Sequence, residues 1–267
     1  MKNNRNIILS VQDLSAGYYI DGRYVNVLQN ISLNIREGET FAVVGQSGSG
    51  KSTLALAIMG LLPIDNGKII NGRIQFYKED LIKTIKDIRG KEISIVLQDP
   101  HSYLNPVIKV GRQVREALEI YGVGMTSSEI DAKIKDTFKK VKLDDIERIY
   151  NSYPHQLSGG QKQRILIAMS IINNPKVLIA DEPTSGLDLP VQKQILELFA
   201  ELKEQMNLTL LIITHNILIA KKFSDTAAVL LNGEVVETGN SEEIFLKPKH
   251  EYTKLLCGHA ARMYRKG

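Results

Sequence analysis

The chain has 267 residues, of which 43% are hydrophobic and 24% charged, and its formal net charge is +4. These values are typical of an ordinary globular protein that buries its own core without a disulfide or a structural metal. The single cysteine, Cys257, excludes an internal disulfide and any cysteine-rich metal cluster. The mild positive charge fits scattered, solvated surface groups and does not select nucleic acid or an anionic membrane as a partner.

The hydropathy pattern predicts neither a membrane-spanning helix nor a secretory signal. No stretch approaches the roughly 18–20 apolar residues that such a helix requires. The segment Met1–Ser10 also lacks the apolar core of about 7–15 residues found in secretory signals. If the protein serves a membrane process, we expect it to act from beside the membrane.

The first hundred residues predict strands and one strong helix. Apolar and polar residues alternate between Ile8 and Ile35 around the turn pair Asp21-Gly22, which favours two or three antiparallel strands. Thr40–Val44 is a short apolar strand followed by a glycine-rich segment. An alanine- and leucine-rich helix is predicted for Lys51–Leu61, with Pro63 just beyond it.

After a buried-type strand at Ile93–Leu97 the pattern becomes helical. Apolar residues recur at helical spacing in residues 100–170, at Val110, Val114, Leu118, Ile130, Ile134, Phe138 and Val141. This pattern predicts a mostly helical lobe inserted into an α/β domain.

Strands and helices then alternate again, which predicts a largely parallel sheet covered on both faces. The predicted elements are strands at Val177–Ala180, Leu208–Ile213 and Ala227–Leu231, with helices at Val191–Gln205 and Ile217–Phe223. A hairpin-like return at Gly233–Gly239 and short helices at Glu242–Phe245 and Tyr252–Leu256 follow.

The glycine-rich segment matches the phosphate-binding pattern G-x-x-x-x-G-K-[ST]. It reads Gly45-Gln46-Ser47-Gly48-Ser49-Gly50-Lys51-Ser52 and is called the phosphate loop below. Glycines let backbone N–H groups turn toward phosphates, and the following helix directs its positive dipole end at the same anion. Lys51 would supply a charge to the β- and γ-phosphates, and the Ser52 hydroxyl would coordinate Mg²⁺. A chance match is expected on the order of once per hundred chains of this length, and the required strand and helix flank the segment.

An acidic pair, Asp181-Glu182, ends the predicted strand Val177–Ala180. Asp181 could hold the Mg²⁺ shell and Glu182 could polarise an attacking water. Alone, such a pair is more often a solvated strand end. Together with the phosphate loop, it favours a catalytic role.

The pentapeptide Leu157-Ser158-Gly159-Gly160-Gln161, here called the signature segment, is the most specific pattern, with a chance match well below about one in a thousand. Two glycines at a helix start leave N–H groups for a phosphate, and Ser158 can cap that helix or donate to the same anion. With this segment, the chain resembles the ABC ATPase family from about Ile7 to Leu256. The motifs stand in the family's order, including Gln98 after a strand, Ser185-Gly186-Leu187-Asp188, and His215 after a strand.

The resemblance implies a role for each matching residue. Glu182 is the general base, His215 contacts the γ-phosphate, and Gln98 links Mg²⁺ and the γ-phosphate to the helical lobe. Tyr18 stacks on adenine, with Tyr19 as the rival; either tyrosine could instead be a strand surface residue. The implied catalytic set is Lys51, Glu182 and His215, and the implied metal ligands are Ser52, Gln98 and Asp181. The implied ATP-binding set is Tyr18, Gly45, Gln46, Ser47, Gly48, Ser49, Gly50, Lys51, Ser52, Thr53, Gln98, Ser158, Gly159, Gly160, Gln161 and Asp188.

The fold implied is an α/β P-loop NTPase of the RecA-like kind, with an N-terminal antiparallel β subdomain and an inserted helical subdomain. We expect residues 1–98 to form the first part of the ATP-binding core and residues 99–172 the helical subdomain. Residues 173–240 would complete the core, and residues 241–267 would form a helical tail. The family also implies a dimer in which each ATP lies between one subunit's phosphate loop and the other's signature segment, with Asp188 at the subunit contact.

Four further segments resemble the oligopeptide, dipeptide and nickel importer branch: Gln98–Pro106, Tyr153–Gln156, Val191–Leu196 and Pro248–Thr253. The branch implies a peripheral subunit at the cytoplasmic face of the membrane. Its partners would be two permease subunits, a second ATPase that is a copy or a sister chain, and indirectly an extracytoplasmic binding protein. The cargo would be a peptide, nickel or a metal–chelator complex.

Three departures and two alternatives accompany this assignment. Asn216 follows His215 where an acidic residue is common, Gly186 replaces a usual alanine, and the cysteine-rich tail of some members is missing. One alternative is a soluble ABC-type ATPase serving a complex such as the phosphonate-degrading machinery. A nucleic-acid partner is disfavoured, because the sequence has no long coiled-coil insertion, zinc module or second motor domain.

Overall fold

The computed structural model describes residues 6–121 and 124–264. Its strands are β1 (Ile7–Ile20), β2 (Arg23–Arg36), β3 (Thr40–Val44), β4 (Gly67–Phe76), β5 (Glu79–Asp80), β6 (Ile93–Val96), β7 (Val177–Asp181), β8 (Thr209–Thr214), β9 (Thr226–Leu231) and β10 (Glu234–Asn240). Its helices are α1 (Lys51–Ile58), α2 (Leu81–Ile88), α3 (Pro100–Tyr103), α4 (Val110–Glu119), α5 (Ser127–Lys140), α6 (Ile146–Asn151), α7 (Gly159–Ile171), α8 (Leu189–Met206), α9 (Ile217–Phe223), α10 (Ser241–Leu246) and α11 (Glu251–Tyr264). Within these ranges, no helix is both long enough and apolar enough to cross a lipid bilayer.

The described residues form two compact units. One comprises the chain up to Asp87 together with the chain from Thr209 onward, and the other comprises Ile88–Leu208. The second unit contains the strands β6 and β7 in addition to helices α3–α8. The division into residues 1–98, 99–172, 173–240 and 241–267 remains a prediction.

The first unit begins with the antiparallel sheet β2-β1-β4-β5. Asp21 and Gly22 join β1 to β2 with φ angles of 49° and 73°, the conformation of a type I′ hairpin turn. Alternate side chains of these strands, such as Leu14 and Ile31, are fully buried. The antiparallel strands predicted between Ile8 and Ile35 are therefore present as the pair β1 and β2, and β4, which also pairs with β1, lies outside that range.

The same unit contains a second set of strands in the order β10-β9-β3-β8. Strand β3 is parallel to both of its neighbours, with Val44 opposite Thr214 of β8 and Val229 of β9. All five residues of β3 are buried, as expected for a strand covered on both faces. Because parallel strands end at the same edge of a sheet, the phosphate loop after β3 and His215 after β8 leave the sheet side by side.

The second unit pairs β6 with β7 in parallel, with Val96 opposite Ala180. This register brings Gln98, two residues after β6, and Glu182, directly after β7, to one edge. The helices pack around apolar residues at the predicted helical spacing; the fully buried ones include Val110, Val114, Ile134, Phe138, Ile165 and Ile167.

Some elements differ from the sequence prediction. Helix α1 ends at Ile58 rather than Leu61, and α11 extends to Tyr264 rather than Leu256. Helix α2 was not predicted, and β4 had no assigned position. In contrast, helix α9 has the predicted bounds.

Candidate functional site

The phosphate loop joins β3 to α1 through a residue that must be glycine. Gly50 has a φ of 103°, and a Cβ there would lie 2.9 Å from Leu28 Cδ2 and 3.0 Å from the Val27 carbonyl oxygen. Among the described residues, no side chain caps the start of α1, and its first turn contains no acidic residue. A helix start without a side-chain cap or an acidic residue is suited to an anion.

Lys51 is held inside the loop by the loop's own carbonyl groups. Its ammonium donates to the Gly45 and Gln46 carbonyl oxygens, at 2.9 Å each, and the residue is only 4% exposed. Ser52 is exposed beside it, whereas Thr53 is buried. The loop's own carbonyl oxygens thus hold a positive charge within it, and such a charge is the kind that pairs with nucleotide phosphates.

Two distant segments anchor the loop. The Gly233 N–H donates to the Ser49 carbonyl oxygen at 3.0 Å. The Gln46 N–H donates to the hydroxyl oxygen of Tyr252, on α11, at 3.1 Å. Tyr252 is absent from the predicted site; the sequence signal for it was the segment Pro248–Thr253, which had been used only to assign the branch.

The structure separates the two tyrosines considered for adenine stacking. The Tyr18 hydroxyl lies 3.2 Å from Thr53 Oγ1, at the start of α1. Tyr19 lies on the opposite face of β1, is 47% exposed, and packs edge-to-face against Tyr24 with ring centroids 5.3 Å apart. Tyr18 is therefore the tyrosine that contacts the helix following the phosphate loop.

His215 is exposed directly after β8, at the sheet edge from which the phosphate loop emerges. Asn216 is the N-cap of α9, because its side-chain oxygen accepts from the Leu218 N–H at 2.9 Å. Asparagine and aspartate cap helices about equally well, so Asn216 keeps the cap without the acidic charge.

The acidic strand end of β7 is organised by one amide. Gln98 Nε2 donates to Glu182 Oε2 and to Ser185 Oγ, at 3.2 Å each. Glu182 has a φ of 45°, a left-handed conformation that costs a non-glycine residue energy and recurs at functional sites. The Asp181 side chain is buried before it, and Ser185, which was not assigned a role from the sequence, shares the Gln98 amide.

The residues predicted to hold Mg²⁺ offer the oxygen donors that this ion prefers. They supply a hydroxyl (Ser52), an amide oxygen (Gln98) and a carboxylate (Asp181). In residues 6–121 and 124–264, no group of three or more His, Cys, Asp or Glu side chains could form a closed metal cage. Each of these groups is chemically a ligand that Mg²⁺ accepts alongside water and nucleotide phosphates.

The signature segment begins α7 with a reciprocal capping box. Ser158 Oγ accepts from the Gln161 N–H at 3.3 Å, and the Gln161 side-chain oxygen accepts from the Ser158 N–H at 3.1 Å. A Cβ on Gly160 would lie 2.9 Å from Val191 Cγ1, so glycine permits the close approach of α8. The predicted cap is confirmed.

A cavity of about 450 Å³ opens beside the signature segment. Ser158, Gln161, Arg164 and Asp188 are among the residues that line it. Asp188 Oδ1 accepts from the Val191 N–H at 2.9 Å and caps α8, so two helix starts face this cavity.

Arg164, one turn after the signature segment, was missed by sequence reasoning. Its guanidinium donates to the Val141 carbonyl oxygen at 2.8 Å and to Gln194 Oε1 at 3.3 Å, which ties α7 to the end of α5 and to α8. Burial lowers the pKa of this guanidinium, although Asp144 and Glu201 act in the opposite direction. The only sequence signal was its spacing from Gln161.

Comparison with known proteins identifies the family. The model of the ABC transporter family matches residues 28–185, a range that contains the phosphate loop, Gln98, the signature segment and Glu182. The chain belongs to the ABC transporter family. The α/β cassette fold predicted from the sequence is confirmed, and as an ABC cassette the chain binds and hydrolyses ATP.

Relatives of this ABC protein cover nearly all of it. The dipeptide transport ATP-binding protein DppD of Bacillus subtilis is 40% identical over 260 residues, which are 96% of this chain and 77% of DppD. The peptidoglycan transport ATP-binding protein YejF of Agrobacterium fabrum is 39% identical over 259 residues, 96% of this chain and 47% of YejF. The chain therefore spans about half the length of YejF and about three quarters of DppD.

A solved ABC structure has the same fold. The cassette MJ0796, described as a dimer in a post-hydrolysis state bound to ADP and Pi, superposes with a TM-score of 0.76 at 29% identity. The match covers 88% of this chain and 99% of MJ0796.

Proposed function

We propose that this chain is the ATP-hydrolysing subunit of an importer that carries peptides. The observation that carries the proposal is the phosphate loop, in which the buried Lys51 ammonium and the uncapped start of α1 form an anion site. The cargo class is supported by the branch-like segments and by DppD, which is named for dipeptide transport. Nickel and metal–chelator complexes are the other cargoes of that branch, and neither DppD nor YejF is named for them.

In the proposed site, each residue keeps the role that the resemblance implied. The phosphate loop and Thr53 hold the β- and γ-phosphates, and Tyr18 stacks on adenine. His215 contacts the γ-phosphate. A bound Mg²⁺ would be held by Ser52, Gln98 and Asp181 and would neutralise charge on the phosphates.

Glu182 is the proposed general base. A carboxylate can accept the proton of an attacking water while the bond to the leaving phosphate breaks. The hydrogen bond from Gln98 to Oε2 orients this carboxylate.

The proposed working unit is a dimer with two shared ATP sites. The signature segment of one subunit would contact the ATP bound by the phosphate loop of the other, and Asp188 would lie at the contact. Two observations support this: two helix starts face one cavity, and MJ0796 is described as a dimer. The second subunit is either a copy of this chain or a sister ATPase.

The remaining partners follow from the importer assignment. The chain would bind two permease subunits at the cytoplasmic face of the membrane and would act indirectly on an extracytoplasmic binding protein. No nucleic-acid partner is proposed. The alternative, a soluble ATPase in phosphonate degradation, gains no support from DppD or YejF, both named for transport.

The test is purification of the tagged chain from detergent-solubilised membranes, followed by identification of every co-purifying protein. We expect two permeases, ATPase activity, and stimulation of that activity by peptide together with the binding protein. Recovery of a soluble enzyme complex without a permease would instead favour the alternative.

A further inference from the structure

The peptide group between Gly45 and Gln46 is held from both ends. Its N–H, that of Gln46, donates to the Tyr252 hydroxyl oxygen at 3.1 Å, and its carbonyl oxygen, that of Gly45, accepts from Lys51 Nζ at 2.9 Å. The residue that carries the phosphate-binding charge is thus connected, through one peptide group, to a side chain on α11.

The Tyr252 ring is fixed by packing. Together with Leu256 and Cys257 it lies against a buried apolar cluster that includes Val44 of β3 and Ala220 of α9. A half-buried ring in such a position has few alternative rotamers, so its hydroxyl presents a stationary acceptor to the loop.

The segment that leads into α11 is also anchored. The Lys249 and His250 N–H groups donate to the Glu237 carboxylate at 2.9 and 3.1 Å. His250 Nδ1 accepts from the Tyr252 N–H at 3.2 Å, and Thr253, next along the helix, is fully buried. Position 252 is therefore set by contacts on both sides of it along the chain.

We propose that Tyr252 is a positioning residue for ATP binding, which holds the Gly45–Gln46 peptide group so that Lys51 is placed for the nucleotide phosphates. The inference rests on the proposed function of the phosphate loop. It assigns to the C-terminal helix a role in nucleotide affinity that the phosphate-binding pattern alone does not contain.

The expected effect is on binding rather than on the chemical step. Without the hydroxyl, the loop must be ordered when the nucleotide binds, and this ordering weakens affinity. Loss of one such hydrogen bond corresponds to roughly a three- to tenfold increase in the Kd for ATP. The lost hydrogen bond belongs to the loop that binds the phosphates and not to the proposed base, so kcat at saturating ATP should stay within about twofold of wild type.

The experiment compares Tyr252→Phe with a matched control, Tyr121→Phe. The first change keeps the ring and removes only the hydroxyl. The control also removes a tyrosine hydroxyl that bonds to the backbone, since Tyr121 donates to the Arg89 carbonyl oxygen in the other unit. For each protein we would measure the Kd and KM for ATP, kcat, the thermal midpoint, and hydrogen exchange of the Gln46 amide.

The proposal predicts a raised Kd and KM, unchanged kcat and faster Gln46 exchange in Tyr252→Phe only. An unchanged Kd in Tyr252→Phe, or an equal increase in both variants, would overturn it. If Tyr252→Phe folds poorly, the exchange measurement on the folded fraction still decides, because slow exchange at Gln46 would contradict the assigned contact. Failure of the proposed function is a distinct result, in which the wild-type protein itself does not bind ATP.

Discussion

Gln98 and Glu182 are joined by a hydrogen bond of 3.2 Å, and the same amide nitrogen also reaches Ser185. One side chain thus orients the proposed base and the turn that follows it. Gln98 belongs to the connection that leads from β6 to the helices of the same unit. A displacement of this connection would therefore change the position of the Glu182 carboxylate.

Substitution of the proposed base should separate ATP binding from turnover. In Glu182→Gln the amide can still accept from Gln98 but cannot take a proton, so we expect kcat to fall about 10²- to 10⁴-fold with the Kd for ATP nearly unchanged. Steady-state hydrolysis and nucleotide titration provide the measurement. The surface change Glu116→Gln, which removes only an exposed pair with Arg112, should leave both values as they are. Near-normal hydrolysis by Glu182→Gln would show that another group is the base.

Removal of the loop cation should weaken binding itself. Lys51→Ala deletes the charge that faces the phosphates, and charged hydrogen bonds of this kind correspond to roughly a 10- to 150-fold increase in the Kd for ATP. Titration with a fluorescent ATP analogue measures this change. As a comparison, Lys83→Ala removes an 80%-exposed lysine that pairs with Asp80 and should not affect binding. Equal affinities in the two variants would contradict the role of Lys51.

The cap at Ser158 and the cap at Thr126 allow structure to be separated from function. Both residues start a helix with a capping box, so each change to alanine should lower the free energy of unfolding by about 1 kcal/mol. Only Ser158→Ala should also reduce ATP-driven dimerisation, because only that hydroxyl belongs to the signature segment. Urea unfolding and size-exclusion chromatography with and without ATP give the two readouts. A similar loss of dimer in Thr126→Ala would point to helix stability as the cause.

The Glu237 carboxylate, which accepts from the Lys249 and His250 N–H groups just before α11, should lose its stabilising effect in acid. Burial raises the pKa of Glu237, but hydrogen bonds from the Lys249 and His250 N–H groups, together with the nearby Thr253 and His250 side chains, lower it more, so the net pKa lies below its ordinary value of 4.5. Its stabilising contribution is therefore complete above about pH 4.5 and is lost as the pH falls through the lower folded-state pKa. The difference in unfolding free energy between wild type and Glu237→Gln should shrink between about pH 7 and about pH 3.5. A constant difference over that range would contradict the prediction.

The pKa of Glu39 is shifted in the direction opposite to that of Glu237, so its effect on stability should depend on pH in the opposite way. Burial raises its pKa above the ordinary value of 4.5, although the Arg36 N–H and the Thr226 hydroxyl donate to it. The stabilising contribution of Glu39 to the free energy of unfolding is present below about pH 4.5 and is lost as the pH rises through the folded-state pKa. The difference between wild type and Glu39→Gln should therefore change with pH in the opposite direction, as measured by the same urea series.

Local patterns made much of the structure predictable from the sequence. The β1–β2 hairpin followed from alternation around Asp21-Gly22, and the cap at Ser158 followed from a serine three residues before a glutamine. Strand β4 was harder to locate, because most of its residues are partly or fully exposed and the strand therefore shows no clean alternation. Helix α2 has apolar residues at helical spacing, at Leu81, Ile85 and Ile88, but its eight residues are fewer than the roughly 11–18 over which such a period is normally recognised.

The contacts between distant segments could not be predicted in this way. Tyr252 and Gln46 lie 206 residues apart in the sequence, and no local pattern records which backbone group a tyrosine hydroxyl will meet. The same holds for Arg164, whose partners Val141 and Gln194 are 23 and 30 residues away. These contacts follow from the packed tertiary structure and not from propensity.

The place of β3 between β8 and β9 has a consequence for biosynthesis. Both neighbours are translated more than 160 residues after Val44, which at ribosomal rates is a delay of roughly ten to thirty seconds. During this interval the apolar strand has no partner on either edge, while the β1–β2 hairpin can already form. The nascent chain therefore exposes an aggregation-prone segment, and we expect folding in the cell to depend on chaperones that shield Thr40–Val44 until the last quarter of the chain emerges.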